Sequence, residues 1–185
     1  MSLTDLRPRV AAPPARWLVS RLERPSGFAR VDRHGAAVRV LVGDEGGGQG
    51  ARDHDGAGRG APVQLGRSVV TAEFGAKGDV VVETCSAPPA LLVSGSGTQL
   101  LPATPGLRRP ARMSAGDILL LCSASALDAP PVGLVEILKA PAREVLAMSR
   151  RVLLDMILGD QTDGAAAIVT RAGLEHHIDD GKALS

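Results

Sequence analysis

Apolar residues along the chain fall into short runs with a period of two, separated by glycine and small polar residues. Residues 36–42 (AAVRVLV) form a β-branched run that stops at Gly43-Asp44, which predicts a strand. Four more runs follow at residues 68–74, 79–85, 90–94 and 98–101, with Gly75-Ala76-Lys77-Gly78 and Gly95-Ser96-Gly97 as turns between them. Strands this short, joined this tightly, predict an antiparallel meander. Residues 117–122 (DILLLC) are continuously apolar behind Gly116 and predict a strand buried on both faces. The period then changes. Over residues 143–158, Val145, Met148, Val152 and Met156 share one stripe, with Leu146, Ser149, Leu153 and Ile157 beside it. An apolar face of about 100° results, which predicts one helix, begun after Pro141 and ended by Gly159. Residues 165–171 (AAAIVTR) predict a last strand, and residues 16–22 fit either a strand or a short helix.

The segments outside these runs set the domain limits. Residues 1–15 carry three prolines and read as a flexible arm. Residues 46–66 are glycine-rich without periodicity and read as a flexible loop, since ordering so much glycine costs backbone entropy. Residues 172–185 read as a polar tail. Residues 16–171 are left as a single domain, and a chain of 185 residues with 44% hydrophobic content can bury one core.

Composition removes several classes of function. A net charge of +1 supplies no field for nucleic acid or an anionic membrane. The aromatics are Trp17, Phe28 and Phe74 alone, too few for base-stacking platforms. No apolar run reaches the roughly 18–20 residues of a membrane span. The first ten residues lack the apolar core of a secretory signal, so a cytoplasmic protein is expected. Cys85 and Cys122 both lie in apolar, strand-like runs and are expected as buried small hydrophobes rather than a disulfide.

Three segments in order then carry a family resemblance. Residues 114–128 (SAGDILLLCSASALD) have a Gly-Asp leader, an apolar strand and a serine-rich turn. Residues 83–98 (ETCSAPPALLVSGSGT) have the look of a Pro-Pro hairpin, and residues 162–171 (TDGAAAIVTR) of a terminal acidic strand. A fourth stretch, residues 40–50 (VLVGDEGGGQG), places Gly-Asp after a strand at a matching spacing. Together they resemble the metal-dependent protein phosphatase 2C (PPM) family, and most its bacterial branch related to the sporulation stage II protein E phosphatase. The resemblance implies an α+β fold: a two-sheet, mainly antiparallel β-sandwich with helices packed outside. The family's two helices between the Gly-Asp strand and the next strand have only residues 46–66 in their place, so one helical layer is expected to be reduced or missing. The sheet face left open would need the N-terminal arm, a second copy of the chain or a partner to cover it.

The resemblance also implies a chemistry and a reason to doubt it. Members hydrolyse phosphoserine and phosphothreonine with two Mn²⁺ or Mg²⁺ ions, hard cations that want several carboxylate oxygens. By resemblance the metal residues are Asp44, the backbone carbonyl of Glu45, and Asp163. Two acidic positions are lost: Ala124 stands in the Ser-Asp-Gly turn, and Phe28 stands where relatives have the aspartate of Gly-Gly-Asp. Gly164 replaces the polar residue after Asp163. The copy therefore reads as degenerate and shortened, and its expected role is a regulatory pseudophosphatase. A phosphoprotein or signalling partner is expected, by analogy one from an anti-sigma circuit. The alternative is an active Mn²⁺- or Mg²⁺-dependent serine/threonine phosphatase with a reduced site.

Other candidate chemistry is weaker. Asp53-His54-Asp55 and His176-His177 with Asp179-Asp180 have ligand types but lie in the flexible loop and the polar tail, where solvated charge is the simpler reading. The glycine run at 46–50 lacks the Gly-Lys-Ser/Thr ending of a P-loop. Ser123 and Ser125 lie outside any Gly-x-Ser-x-Gly elbow and show no base nearby in sequence.

Overall fold

The computed structural model describes residues 16–45, 68–102, 110–128 and 132–172. The arm at 1–15, the glycine-rich segment 46–66 with its Asp53-His54-Asp55, and the tail beyond Ala172 with its histidines lie outside them.

Two five-stranded antiparallel sheets face each other. The first runs in the order β1 (Trp17–Glu23), β10 (Ala165–Arg171), β9 (Ile118–Cys122), β6 (Ala90–Ser94), β7 (Gly97–Leu101). The second runs β2 (Gly27–His34), β3 (Ala37–Asp44), β4 (Val69–Phe74), β5 (Asp79–Cys85), β8 (Ala111–Arg112). Because side chains alternate along a strand, every second residue points between the sheets. Val38, Val40 and Val42 of β3, Val70, Ala72 and Phe74 of β4, and Val80 and Val82 of β5 meet Leu119 and Leu121 of β9 and Ala165, Ala167 and Val169 of β10. Trp17 packs on Phe74 at a centroid distance of 4.8 Å. At the sandwich edge, Arg21 of β1 donates to the Ala29 carbonyl at 2.6 Å and Glu23 accepts from the Ala29 amide at 3.1 Å, so β1 satisfies the backbone of the edge strand β2.

The outer face of the first sheet carries a second core. Ile118 and Leu120, Ala166 and Ile168, and Leu91 and Val93 pack beneath the helices α2 (Val132–Lys139), α3 (Ala142–Ala147) and α4 (Arg150–Leu158). The continuous run of β9 is thus explained: odd positions fill one core and even positions the other. No helix among the described residues is long and apolar enough to cross a membrane.

Three expectations need correction. The strands between residues 68 and 101 do not form one meander. β4 and β5 pair in the second sheet and β6 and β7 in the first, and the chain changes sheets at Ser86–Pro89, where Ser86 takes a positive φ of 51°. The helix expected over 143–158 is two helices. Met148 is extended (φ −72°, ψ 147°), and the Ser149 side chain caps α4 by accepting from the Val152 amide at 3.3 Å. Residues 16–22, which fitted either element, fall in the strand β1 from Trp17 onward. Cys85 is exposed rather than buried, because it falls on the outward phase of β5, and both cysteines are free.

The open sheet face was expected to be an apolar liability. Two of its rows carry charge, and a third, of Phe28, Gly43, Val69 and Cys85, is apolar. Across the outer side of the second sheet the register aligns Asp32, Arg39, Glu73 and Val81 in one row, and Arg30, Leu41, Thr71 and Glu83 in the next. Arg39 and Glu73 form an ion pair at 3.5 Å. The described helices make their contacts with β1, β6 and β10 of the first sheet. Among the described residues, charge in the first two rows, rather than a helix, makes that part of the outer face compatible with water.

Candidate functional site

The strand phase of β3 decides where the site lies. Val38, Val40 and Val42 point between the sheets, and Asp44, two residues on, continues that phase at the strand's end. From the other sheet, Leu119 and Leu121 of β9 point inward, and Ser123 continues their phase and is fully buried. The short helix α1 (Ser125–Asp128) begins just beyond. Asp44 and the 123–125 turn therefore meet at one end of the sandwich, one from each sheet.

Their contacts are specific. The Ser125 hydroxyl donates to Asp44 Oδ1, and the Ser125 amide donates to Asp44 Oδ2 at 3.1 Å. Ser123 Oγ lies 3.0 Å from Ser125 Oγ and accepts from the Ala165 amide at 3.1 Å. The Ser123 amide donates to the Ala165 carbonyl at 2.9 Å. A hydrogen-bonded path thus runs from β3 through two serines to the first residue of β10. It crosses from sheet to sheet.

Two glycines close the space around it. Gly164 takes φ +108°, and a Cβ there would stand 2.8 Å from Ser125 Oγ and 3.0 Å from Ser123 Oγ. A Cβ on Gly27 would collide with the Gly164 carbonyl group. Backbone therefore sits against backbone where β2 begins and β10 approaches, and only glycine permits it. The Gly164 carbonyl accepts from the Arg24 amide at 2.8 Å, which holds the two loops together.

The other predicted residues share this end of the fold without joining the cluster. Glu45 is exposed, and its amide donates to the Ser26 carbonyl at 2.6 Å. Asp163 is exposed, and its carboxylate accepts from Thr162 Oγ1 at 3.2 Å. Phe28 turns away from the cluster. It pairs with Gly43 across β2 and β3, a Cβ on Gly43 would stand 3.0 Å from its ring, and the Arg30 guanidinium lies 5.9 Å from the ring centroid. Ala124 brings no acid. The Cys122 thiol is pushed from its ordinary 9.0 up to about 12, first by burial and then by the negative charge of Asp44.

A two-metal centre needs several carboxylates converging from separate strand ends. Among the described residues, no three His, Cys, Asp or Glu side chains come together in a way that could hold a metal ion. Both oxygens of Asp44 already accept hydrogen bonds from Ser125. These residues do not fit a pair of dications. Nor do they form a hydrolytic nucleophile, since the Ser125 hydroxyl pairs with Asp44 and Ser123 and not with a histidine or lysine base. The serines and Gly27 were the part of the site that sequence reasoning missed. The phase of β3 and β9, carried two residues past each apolar run, was the signal available for Asp44 and Ser123.

By sequence, no family model and no curated protein matches the chain. By structure, the similarity is clear. The phosphatase domain of the cell fate determinant SpoIIE from Bacillus subtilis, in a crystal form without domain swapping, superposes with a TM-score of 0.59 at 9% identity, covering 94% of this chain and all of that one. A second structure, the PP2C phosphatase domain of SpoIIE with a fragment of its regulatory domain, gives 0.59 at 10% identity over 87% of this chain, which spans 65% of that longer one. PppA, a key regulatory component of T6SS in Pseudomonas aeruginosa, gives 0.53 at 13% identity, covering 88% of this chain and all of that one. Identities this low speak to architecture alone. The chain has the fold of the PP2C phosphatase domains.

Proposed function

We propose that the protein is a regulatory pseudophosphatase: a PP2C-type scaffold that binds a signalling partner and performs no metal-dependent hydrolysis. The observation that carries this reading is the state of Asp44. The carboxylate that the family resemblance assigns to bridging two ions is held at both oxygens by one serine, and no group of three or more His, Cys, Asp or Glu able to hold a metal stands among the described residues. The losses at Ala124, Phe28 and Gly164 are consistent with one another. An acidic side chain at position 164 would need a Cβ where Ser125 and Ser123 already stand. Glu45 and Asp163 remain at the rim as exposed groups, available to a partner's polar side chains. The partner class expected is a phosphoprotein or another signalling protein.

Calorimetric titration of the full chain with Mn²⁺, paired with turnover of a phosphoserine peptide, tests the reading. The expected result is neither saturable binding nor turnover. Saturable binding lost in Asp44→Ala, together with metal-dependent turnover, would show an active serine/threonine phosphatase instead.

A further inference from the structure

Six large hydrophobic side chains are exposed among the described residues, and their distribution is uneven. Three belong to the eight-residue helix α2: Val132 is 76% exposed, Leu138 52% and Val135 36%. A fourth, Val152 on the neighbouring α4, is 48% exposed. The helix is anchored on its opposite side, where Ile137 is fully buried and Gly133 lies so close to Met156 that an added Cβ would stand 3.0 Å from its Cα. A helix apolar on both sides is one that is covered on both sides. Val132, Val135 and Leu138 recur at intervals of three and so line one face, and a groove of about 740 Å³ between α2 and α4 meets that face at Val132, lined further by Val152 and Met156 and by the polar Asp155, Asp160 and Thr162.

We infer that this face is a two-fold interface between copies of the chain, with α2 packed antiparallel against α2 of the partner. Charge selects the occupant. Glu136 and Lys139 each follow a stripe residue directly, so both stand on the same flank, and both are exposed with no ion pair among the described residues. Antiparallel helices related by a two-fold oppose flank to like flank in reversed order. Glu136 of one copy then faces Lys139 of the other, twice, while Val135 and Leu138 meet across the axis. A parallel two-fold pairing would instead place that flank of each copy on opposite sides of the contact and leave Glu136 and Lys139 unmatched. One acid and one base on a single flank make a surface complementary to itself, which is the condition for an isologous dimer. The stripe is small beside a standard interface of about 800 Å² per partner, so the dimer forms reversibly and depends on concentration. This inference is independent of the proposed function, because it uses a face on the helical layer and not the Asp44 cluster.

Sedimentation velocity of the full chain over a roughly hundred-fold concentration range tests it. The mass should rise from one chain to two, and Val135→Glu or Leu138→Glu should hold the protein monomeric while melting like the native chain at the dilute end of the range, where neither is associated. Lys139→Glu should weaken the dimer about tenfold, and the double exchange Glu136→Lys with Lys139→Glu should restore it. A chain that stays monomeric throughout would overturn the proposal and leave the stripe to a different partner. A dimer indifferent to the α2 substitutions would overturn it by placing the contact elsewhere. Loss of the dimer in Val135→Glu without any effect of Lys139→Glu would overturn the antiparallel arrangement.

Discussion

At Ser125 the energetic question is what satisfies a half-buried carboxylate at the end of a strand. Two donors from one residue, a hydroxyl and an amide, satisfy Asp44 directly. Removing the hydroxyl leaves that carboxylate one donor short, so Ser125→Ala should cost about 1–2 kcal/mol of stability, read by urea unfolding. In a double-mutant cycle with Asp44→Ala the two changes should be coupled by at least about 0.5 kcal/mol. Gly164→Ala is constrained by backbone as well as space. Its φ of +108° alone should cost about 1–3 kcal/mol, and the added Cβ presses on Ser125. Cys122 makes a prediction in pH. Its folded pKa of about 12 lies above the ordinary 9.0, so the folded state holds the proton more tightly. The stability contributed is complete below pH 9 and is lost as pH rises from 9 toward 12. Alkaline unfolding curves should show that slope, and Cys122→Ala should reduce it. In thiol labelling at pH 8, exposed Cys85 should react faster than the partly buried Cys122, whose thiol is held protonated.

At the scale of elements, periodicity identified most strands and failed where a local choice overrode it. The runs over β3, β4, β5, β6, β9 and β10 are β-branched or continuously apolar and could hardly be anything else. β2 was not recognised because its sequence, GFARVDRH, buries only Ala29 fully and shows charge on its outward phase. α2 was not recognised because VGLVEILK is apolar on nearly every side and so lacks the polar face that marks a surface helix. The break at Met148 shows a different limit. The stripe from Val145 to Ile157 is continuous in sequence, yet Ser149 competes for the backbone and starts a new helix. Ser149→Ala should therefore destabilise the fold by about 1 kcal/mol through loss of the cap, measurable by thermal unfolding. The change of sheet at Ser86 was equally invisible, since turn residues announce a reversal without saying which sheet receives the next strand.

For the whole molecule, the sandwich was legible because two interleaved cores demand strands buried on both faces, and residues 117–122 have that composition. The organisation of its exterior was not. A sheet face with no helix over it among the described residues exposes apolar surface only where its strands keep outward hydrophobes, and here Arg30, Asp32, Arg39, Glu73 and Glu83 share that side with Phe28 and Val69. The site followed the same rule. Asp44 was identified from its place at a strand's end, but its partner, at the start of α1 just past the other sheet's β9, is 81 residues away, and no spacing encodes that contact. What the two sheets share at this end is a clasp of hydrogen bonds where the family resemblance predicts ions, and the molecule's dependence on metal is the property that separates the two.

Thermal unfolding of the full chain in excess Mn²⁺ and again in a chelator measures that dependence directly. An ion present at a hundred times its dissociation constant stabilises the folded state by about 2.7 kcal/mol and raises the midpoint by several degrees. The clasp predicts the same midpoint in both solutions. A rise in Mn²⁺ that disappears in Asp44→Ala would contradict it.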